Sequence, residues 1–241
     1  LHEILTIDAA TYLASFTIVS FIRYQPIRER GGAAGSVVKR VKEGLTFLKS
    51  RPNTFAFGVF SNAIFITVMT HAFFLLAMYV NNHLNIEADA FGAAEMVFAV
   101  GAILSGIGIR RVYSRFSPVV GVIVNTFIGG LLLWWLSLTE SLVVLISFSL
   151  LYGIMNSGNR ILRMTFIFNN IPNEIIGRIN SVFSVCGTLL RVFFISMFAL
   201  PFFGHDAHVV YAYMVLGSFV LLAALLLTYT YPHLKAGTIR Q

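Results

Sequence analysis

Several ionisable side chains fall inside long apolar stretches of this sequence, and three of them could carry chemistry. Arg191 lies near the middle of its stretch, Glu95 nearer the end of another, and His71 in a third. A charge in a membrane interior costs roughly 2.5 to 3.5 kcal/mol, so each of these groups is expected to have a specific role. We predict Glu95 as the proton-responsive or cation-binding group, and Arg191 as its counter-charge or as an anion anchor.

The relation between these groups is open at this point. The depths of Glu95 and Arg191 along their helices differ by about 9 Å, so a direct ion pair requires both side chains to stretch. His71 is either a hydrogen-bonded packing residue, which is the commoner case, or a proton carrier.

Amide side chains extend this polar set. Asn62, Asn156 and Asn159 lie in otherwise apolar stretches and can bond either a substrate or a neighbouring helix. The predicted substrate or ion site therefore contains six residues: Glu95, Arg191, His71, Asn62, Asn156 and Asn159.

The sequence offers no constellation for catalysis. It has no glycine-rich loop ending in Gly-Lys-Ser/Thr, its histidines are scattered, and its single cysteine, Cys186, lies in an apolar run. His205 and His208 have close spacing, but chance explains it better than metal binding. We predict a protein that is not an enzyme and has neither cofactor nor metal.

Long apolar segments must position these residues. Hydrophobic residues make up 57% of the 241 residues and charged residues only 11%, which is typical of a membrane protein and not of a soluble domain. A helical span needs about 20 apolar residues. Seven segments meet this criterion: 4–22, 54–80, 89–109, 118–138, 141–161, 177–203 and 209–231.

One basic linker, residues 23–53, separates the first span from the other six. Val37, Val41, Leu45 and Leu48 recur at helical spacing within it. The pattern predicts a short amphipathic helix on the membrane surface, and the alternative is a solvated connector with chance periodicity.

The charges of the loops predict an orientation. Lys and Arg residues occur in the linker, after the third span, around the connection between the fifth and sixth spans (Arg160, Arg163 and Arg178) and after the last span, whereas the other loops have none. This alternation predicts that the first residue lies outside and the C-terminus in the cytoplasm. Because the basic residues lie at these loops, the net charge of +7 indicates membrane topology and not nucleic-acid binding.

Residues 101–115 combine a glycine-rich helix end with a basic turn. This stretch resembles the loop after helix eight of major facilitator superfamily (MFS) transporters, although Arg110 stands in place of the family's acidic residue and Tyr113 in place of a glycine. Three residues match the pattern: Gly106, Arg111 and Arg115. Small residues here also predict a close approach of a neighbouring helix: Gly101, Ser105, Gly106 and Gly108.

A second motif is more specific. Pro172, Glu174, Gly177 and Arg178 resemble the Pro-x-Glu-x-x-Gly-Arg turn before helix eleven in the drug-efflux and siderophore-export branch of the same family. We expect Arg178 to bond Glu174 or the carbonyls that end the fifth span, and so to latch two cytoplasmic helix ends. Headgroup anchoring is the alternative for both basic turns.

The resemblance implies the C-terminal half of an MFS transporter. The predicted fold is an all-α membrane protein with about seven transmembrane helices, one plus a six-helix half bundle. Its parts are the last helix of the N-terminal half (1–22), the linker (23–53), the bundle (54–231) and a cytoplasmic tail (232–241).

The same resemblance implies a function. It predicts a secondary transporter in the bacterial cytoplasmic membrane that exports small amphipathic molecules by proton-coupled alternating access. The expected partners are the lipid bilayer, an N-terminal half-bundle, a small-molecule substrate and a proton. The competing hypothesis is a non-transporting membrane subunit for assembly or sensing.

Overall fold

A computed structural model describes residues 2–22, 37–87, 89–112, 117–204 and 208–238, and these residues form helices and turns without a β-strand. The chain divides into two compact units, Leu1–Ser36 and Val37–Gln241. The predicted all-α class is confirmed.

The first unit contains one helix, α1 (His2–Ser20). The Thr11, Thr17 and Ser20 hydroxyls each donate to a carbonyl three or four residues earlier, which satisfies polar groups inside an apolar helix. Its apolar part, Leu5–Ser20, is shorter than the other predicted spans.

The second unit contains six helical segments that are long and apolar enough to cross a membrane. They are an interrupted span (Pro52–His83), α6 (Asp89–Val112), α7 (Pro118–Ser137), α8 (Leu142–Asn170), α9 (Asn173–Phe198) and α10 (Val209–Thr238).

The interrupted span is not one regular helix. It consists of α3 (Pro52–Phe60), α4 (Ala63–Thr70) and α5 (Leu76–Met78), with π-helical turns at His71–Leu75 and Tyr79–His83. The break between α3 and α4 falls at Ser61 and Asn62, whose short polar side chains favour turns over helix interiors.

Two hydrophobic clusters follow one another along the bundle. One contains Phe57, Leu162 and Phe183, and the other contains Tyr79, Phe148 and Tyr213. The interrupted span, α8 and α9 contribute to both clusters, so the core runs from one end of the bundle to the other.

The linker contains the predicted amphipathic helix, α2 (Val37–Lys49), while linker residues 23–36 lie outside the described part of the chain. Leu48 is buried, whereas Lys42 and Lys49 are exposed. Gly44 packs against the start of α9, where a Cβ would lie 3.2 Å from Cβ of Arg178. The helix thus rests on the end of the bundle that also holds the turn between α8 and α9, which we name the basic end.

One predicted boundary is wrong by more than two turns. We expected the fifth span to end at residue 161, but α8 continues to Asn170 because nothing in the intervening sequence breaks a helix before Pro172. Arg160 and Arg163, which we expected at the connection after this span, therefore both lie within α8. α9 likewise begins at Asn173, so Glu174 and Arg178 lie in its first turns.

Candidate functional site

The break in the interrupted span leaves backbone groups without their helical partners. The amide of Asn62 donates to the carbonyl of Val59, one residue short of its regular partner at Gly58. A free carbonyl inside a membrane needs another donor.

Two side chains of α8 supply such donors. Asn159 Nδ2 donates to the carbonyl oxygen of Ser61 over 2.7 Å, and Arg163 Nη2 makes a long contact of 3.5 Å with the carbonyl oxygen of Gly58. Residues four apart lie on one face of a helix, so Asn159 and Arg163 reach the break together.

α9 approaches the break closely from another side. A Cβ at Gly58 would lie 2.0 Å from the ring of Phe183, and a Cβ at Gly187 would lie 2.6 Å from Nδ2 of Asn62. A side chain at either glycine would displace Phe183 or Asn62, so these two close approaches help to fix the position of α9 against α3 and α4.

A polar cavity of about 290 Å³ lies where these helices meet, and a second of about 150 Å³ adjoins it. The two share Asn62, Phe65 and Ser184, and we name them together the polar groove. Their remaining polar lining residues are Ser61, Asn156, Asn159, Arg160, Arg163 and Asn180 in the first cavity, and Thr188 and Arg191 in the second.

Three buried polar atoms of the first cavity have no hydrogen-bond partner within the described part of the chain. They are Ser61 Oγ, Asn159 Oδ1 and Arg163 Nε. Ser61 is 1% exposed and Asn159 3%, so bulk water does not satisfy these groups. All three belong to residues that line the first cavity, but the atoms themselves have almost no accessible surface, so water or a polar ligand in the cavity reaches them only after a small local rearrangement.

The structure brings together four of the six predicted site residues. Asn62, Asn156 and Asn159 line the first cavity, and Asn62 and Arg191 line the second. Glu95 and His71 lie elsewhere.

His71 belongs to the core. It is 4% exposed, its Nδ1 lies 2.8 Å from the hydroxyl of Tyr213, and its ring meets that of Phe148 edge-on. These contacts are those of a hydrogen-bonded packing residue, the first of the two alternatives for His71. Nearby, the hydroxyls of Thr67 and Tyr152 also share a hydrogen bond.

Glu95 is half-buried on α6, which packs mainly against α8. Among the described residues no ion pair joins it to Arg191, so the alternative of a direct pair is wrong. The reason is the packing order: α8 separates α6 from the groove, and depth along a helix does not tell which helices are neighbours.

Several lining residues were not predicted from the sequence: Ser61, Arg160, Arg163, Asn180 and Ser184. A signal for two of them was present, because Asn156 with Arg160 and Asn159 with Arg163 form two pairs spaced four residues apart in an apolar segment. We expected Arg160 and Arg163 around the connection between the fifth and sixth spans, and this expectation concealed the pairing.

The predicted latch differs in its partner. Arg178 Nη1 lies 2.6 Å from Oε2 of Glu43 on α2, and not against Glu174, which is exposed. Glu174 and Arg178 lie four apart on α9, but α2 occupies the space over Arg178. Pro172 precedes α9 in extended conformation, and Gly177 has open space around it.

The glycine-rich stretch of α6 is only partly a helix contact. A Cβ at Gly101 would lie 2.1 Å from the carbonyl oxygen of Leu150, and one at Gly153 would lie 2.2 Å from that of Phe98. A Cβ at Gly106 or Gly108 would have nothing within 4 Å. Gly106, five positions after Gly101, points away from the face of Gly101, whereas Gly108, seven positions after it, lies near that face but has no neighbour within this distance. The expectation of close approach at these two glycines is wrong.

The basic turn after α6 is described only at its start. Arg111 is exposed at the end of α6, and Arg115 lies outside the described residues. The role expected for Arg115 therefore stays a prediction.

Comparison with known proteins gives one match. The sequence profile of the Major Facilitator Superfamily matches residues 2–195, well over half of the chain. No curated protein and no solved structure matches it.

Proposed function

This chain belongs to the Major Facilitator Superfamily, and we propose that it forms the C-terminal half of a secondary transporter that exports small amphipathic molecules in exchange for protons. Membership makes it an integral, polytopic membrane protein of a transporter family. The drug-efflux branch, the missing N-terminal half, the direction and the coupling ion are our proposal, and they rest on the motifs and on the loop charges.

The polar groove is the observation that carries the proposal. Ser61 Oγ, Asn159 Oδ1 and Arg163 Nε are buried there, and none of the three has a partner in the described part of the chain. Polar groups left unpaired in a membrane interior are unfavourable unless water or a solute binds them. A helix interrupted beside a cavity is also a common way for transporters to present backbone groups to a solute.

Alternating access supplies the mechanism. The groove lies among α3, α4, α8 and α9, and Ser184, which lines both of its cavities, is exposed. We propose that a second half-bundle covers this side, and that rocking of the halves opens the groove to each side of the membrane in turn. The Glu43–Arg178 pair would act as a latch at the basic end.

Proton coupling is assigned to Glu95. It lies on α6, whose close contact with α8 at Gly101 and Gly153 connects it mechanically to the helix that carries Asn159 and Arg163. A change of charge at Glu95 would then act on the groove through the packing of α6 against α8.

Cysteine accessibility tests alternating access without knowledge of the solute. Cys186 is first replaced by serine, and Ser184→Cys is then labelled with a membrane-impermeant maleimide in sealed right-side-out and inside-out vesicles containing the full-length protein. We expect labelling from both sides, and none from either side for Thr67→Cys, which is buried. Labelling of Ser184→Cys from one side only, with and without a pH gradient, would contradict the mechanism.

The same vesicles test coupling and orientation. A pH gradient should change the ratio of labelling from the two sides. An unchanged ratio would reject proton coupling but not alternating access. We expect Asn82→Cys to react only from outside and Glu174→Cys only from the cytoplasm, since the basic loops are expected to face the cytoplasm. The reverse result would overturn the orientation.

A further inference from the structure

The charged side chains that line the polar groove are all positive. Arg160 and Arg163 line its first cavity and Arg191 its second, and no carboxylate lines either cavity among the described residues. The spans Pro52–His83, Leu142–Asn170 and Asn173–Phe198 together contain a single acidic residue, Glu174, which is exposed on the first turn of α9.

Nothing in the described residues neutralises these three cations. Arg178, the other arginine of α9, has Glu43 as its ion-pair partner. Arg160 and Arg191 form no hydrogen bond or ion pair in the described part of the chain, and Arg163 contacts only the carbonyl of Gly58 and the face of Phe183. Cations that line a cavity with low-dielectric walls attract anions strongly.

The arginines are spread along the groove. Asn180 lines the first cavity together with Arg160 and Arg163, whereas Arg191 lines the second. Asn180 and Arg191 are eleven positions apart on α9, which corresponds to about 16 Å along the helix. The lining of the two cavities also includes Phe65, Met69 and Met164. Aromatic and thioether side chains accommodate an apolar body of variable shape.

We propose that the solute bound in the polar groove is an organic anion, with a carboxylate, sulfonate or phosphate group held by arginine and an apolar body packed on Phe65 and the methionines. The proposal rests on the proposed function and specifies its substrate class. The guanidinium fork suits such anionic groups because it donates two parallel hydrogen bonds to two of their oxygens. The amides of Asn62 and Asn156, which line the first cavity and are partly exposed, would bond further polar atoms of the solute.

Three probes with one ring system test the charge preference. Naphthalene-2-sulfonate, naphthalene-2-sulfonamide and 2-naphthylmethylammonium differ mainly in charge, and their dissociation constants are measured by titration calorimetry on the full-length protein in non-ionic detergent. We expect the sulfonate to bind about tenfold or more tighter than the sulfonamide, and the ammonium to bind weakest.

Matched variants locate the effect. Arg160→Gln and Arg191→Gln should each weaken sulfonate binding about tenfold and leave sulfonamide binding nearly unchanged. Neither residue has a hydrogen bond to lose in the described chain, so both variants are expected to fold, which a melting curve checks. Arg51→Gln removes an equal charge at an exposed position outside the groove and should leave all three constants unchanged.

Equal binding of the three probes, strongest binding of the ammonium, or no binding of any probe would each overturn the anion proposal. A preference for the ammonium would indicate that carboxylates of another part of the protein neutralise the arginines. These outcomes are distinguishable from failure of the proposed function, because Ser184→Cys labelling from both sides would still support a transporter. One-sided labelling would reject the transporter itself.

Discussion

The amide of Asn159 donates to the carbonyl oxygen of Ser61 over 2.7 Å, and this bond joins α8 to the interrupted span at its break. Asn159 Oδ1 has no partner in the described chain and lies at the first cavity. The Asn159 side chain therefore supports the broken helix, and its unpaired oxygen becomes available to a ligand only if the cavity wall rearranges.

Replacing Asn159 tests this support. Asn159→Ala should lower the free energy of unfolding by about 1 to 3 kcal/mol, because the carbonyl of Ser61 loses its donor in a buried position. Thermal unfolding in detergent measures the change. Asn156→Ala is the matched control, since Asn156 lines the same cavity but forms no hydrogen bond within the described residues; equal losses for the two variants would contradict the assigned role.

The contact between α6 and α8 depends on glycine. Gly153→Ala should destabilise the protein by about 1 to 3 kcal/mol, because its Cβ would lie 2.2 Å from the carbonyl oxygen of Phe98 and the helices must separate. Gly92→Ala on α6 is the control, as nothing lies within 4 Å of its Cβ, and alanine there should keep or slightly raise stability. Chemical unfolding that shows no difference between the two would refute the contact.

Glu43 and Arg178 form an ion pair that is open to solvent, since 45% of the Glu43 side chain and 28% of the Arg178 side chain are exposed. Glu43→Gln should therefore change the free energy of unfolding by less than about 1 kcal/mol. If the pair is a latch, the variant should nevertheless shift Ser184→Cys labelling towards the cytoplasmic side. The exchange Glu43→Arg with Arg178→Glu should restore the original ratio, and a shift that persists in the exchanged protein would argue against the latch.

Glu95 and Arg191 are expected to act independently. Because no ion pair joins them, the stability changes of Glu95→Gln and Arg191→Gln should add in the double variant to within about 0.5 kcal/mol. Their effects should differ in kind, with Glu95→Gln abolishing the influence of a pH gradient on labelling and Arg191→Gln weakening sulfonate binding. A coupling energy above roughly 1 kcal/mol would show that the residues interact after all.

The sequence alone determined the class of protein and most of its helices. Apolar runs of about 20 residues leave few alternatives to membrane helices, so six of the seven predicted spans correspond to helical segments long enough to cross a membrane, although their ends differ. The first predicted span corresponds to the shorter apolar helix Leu5–Ser20. The amphipathic period of α2 is a local property of the chain and was readable without the structure. The end of α8 was not, because two arginines in a helix facing a groove look the same in sequence as two arginines in a loop.

Tertiary structure alone decided which polar residues meet. All of Asn62, Asn159, Glu95 and His71 are polar groups in apolar spans, and spacing ranks them alike. Their grouping depends on the rotation of each helix and on the order of its neighbours, which close contacts such as Gly58 with Phe183 set. Such contacts join residues more than a hundred positions apart, whereas periodicity describes one helix at a time. For that reason the sequence predicted the polar residues of the groove individually, while the packing of α8 and α9 against the broken span brought them together and left Glu95 and His71 elsewhere.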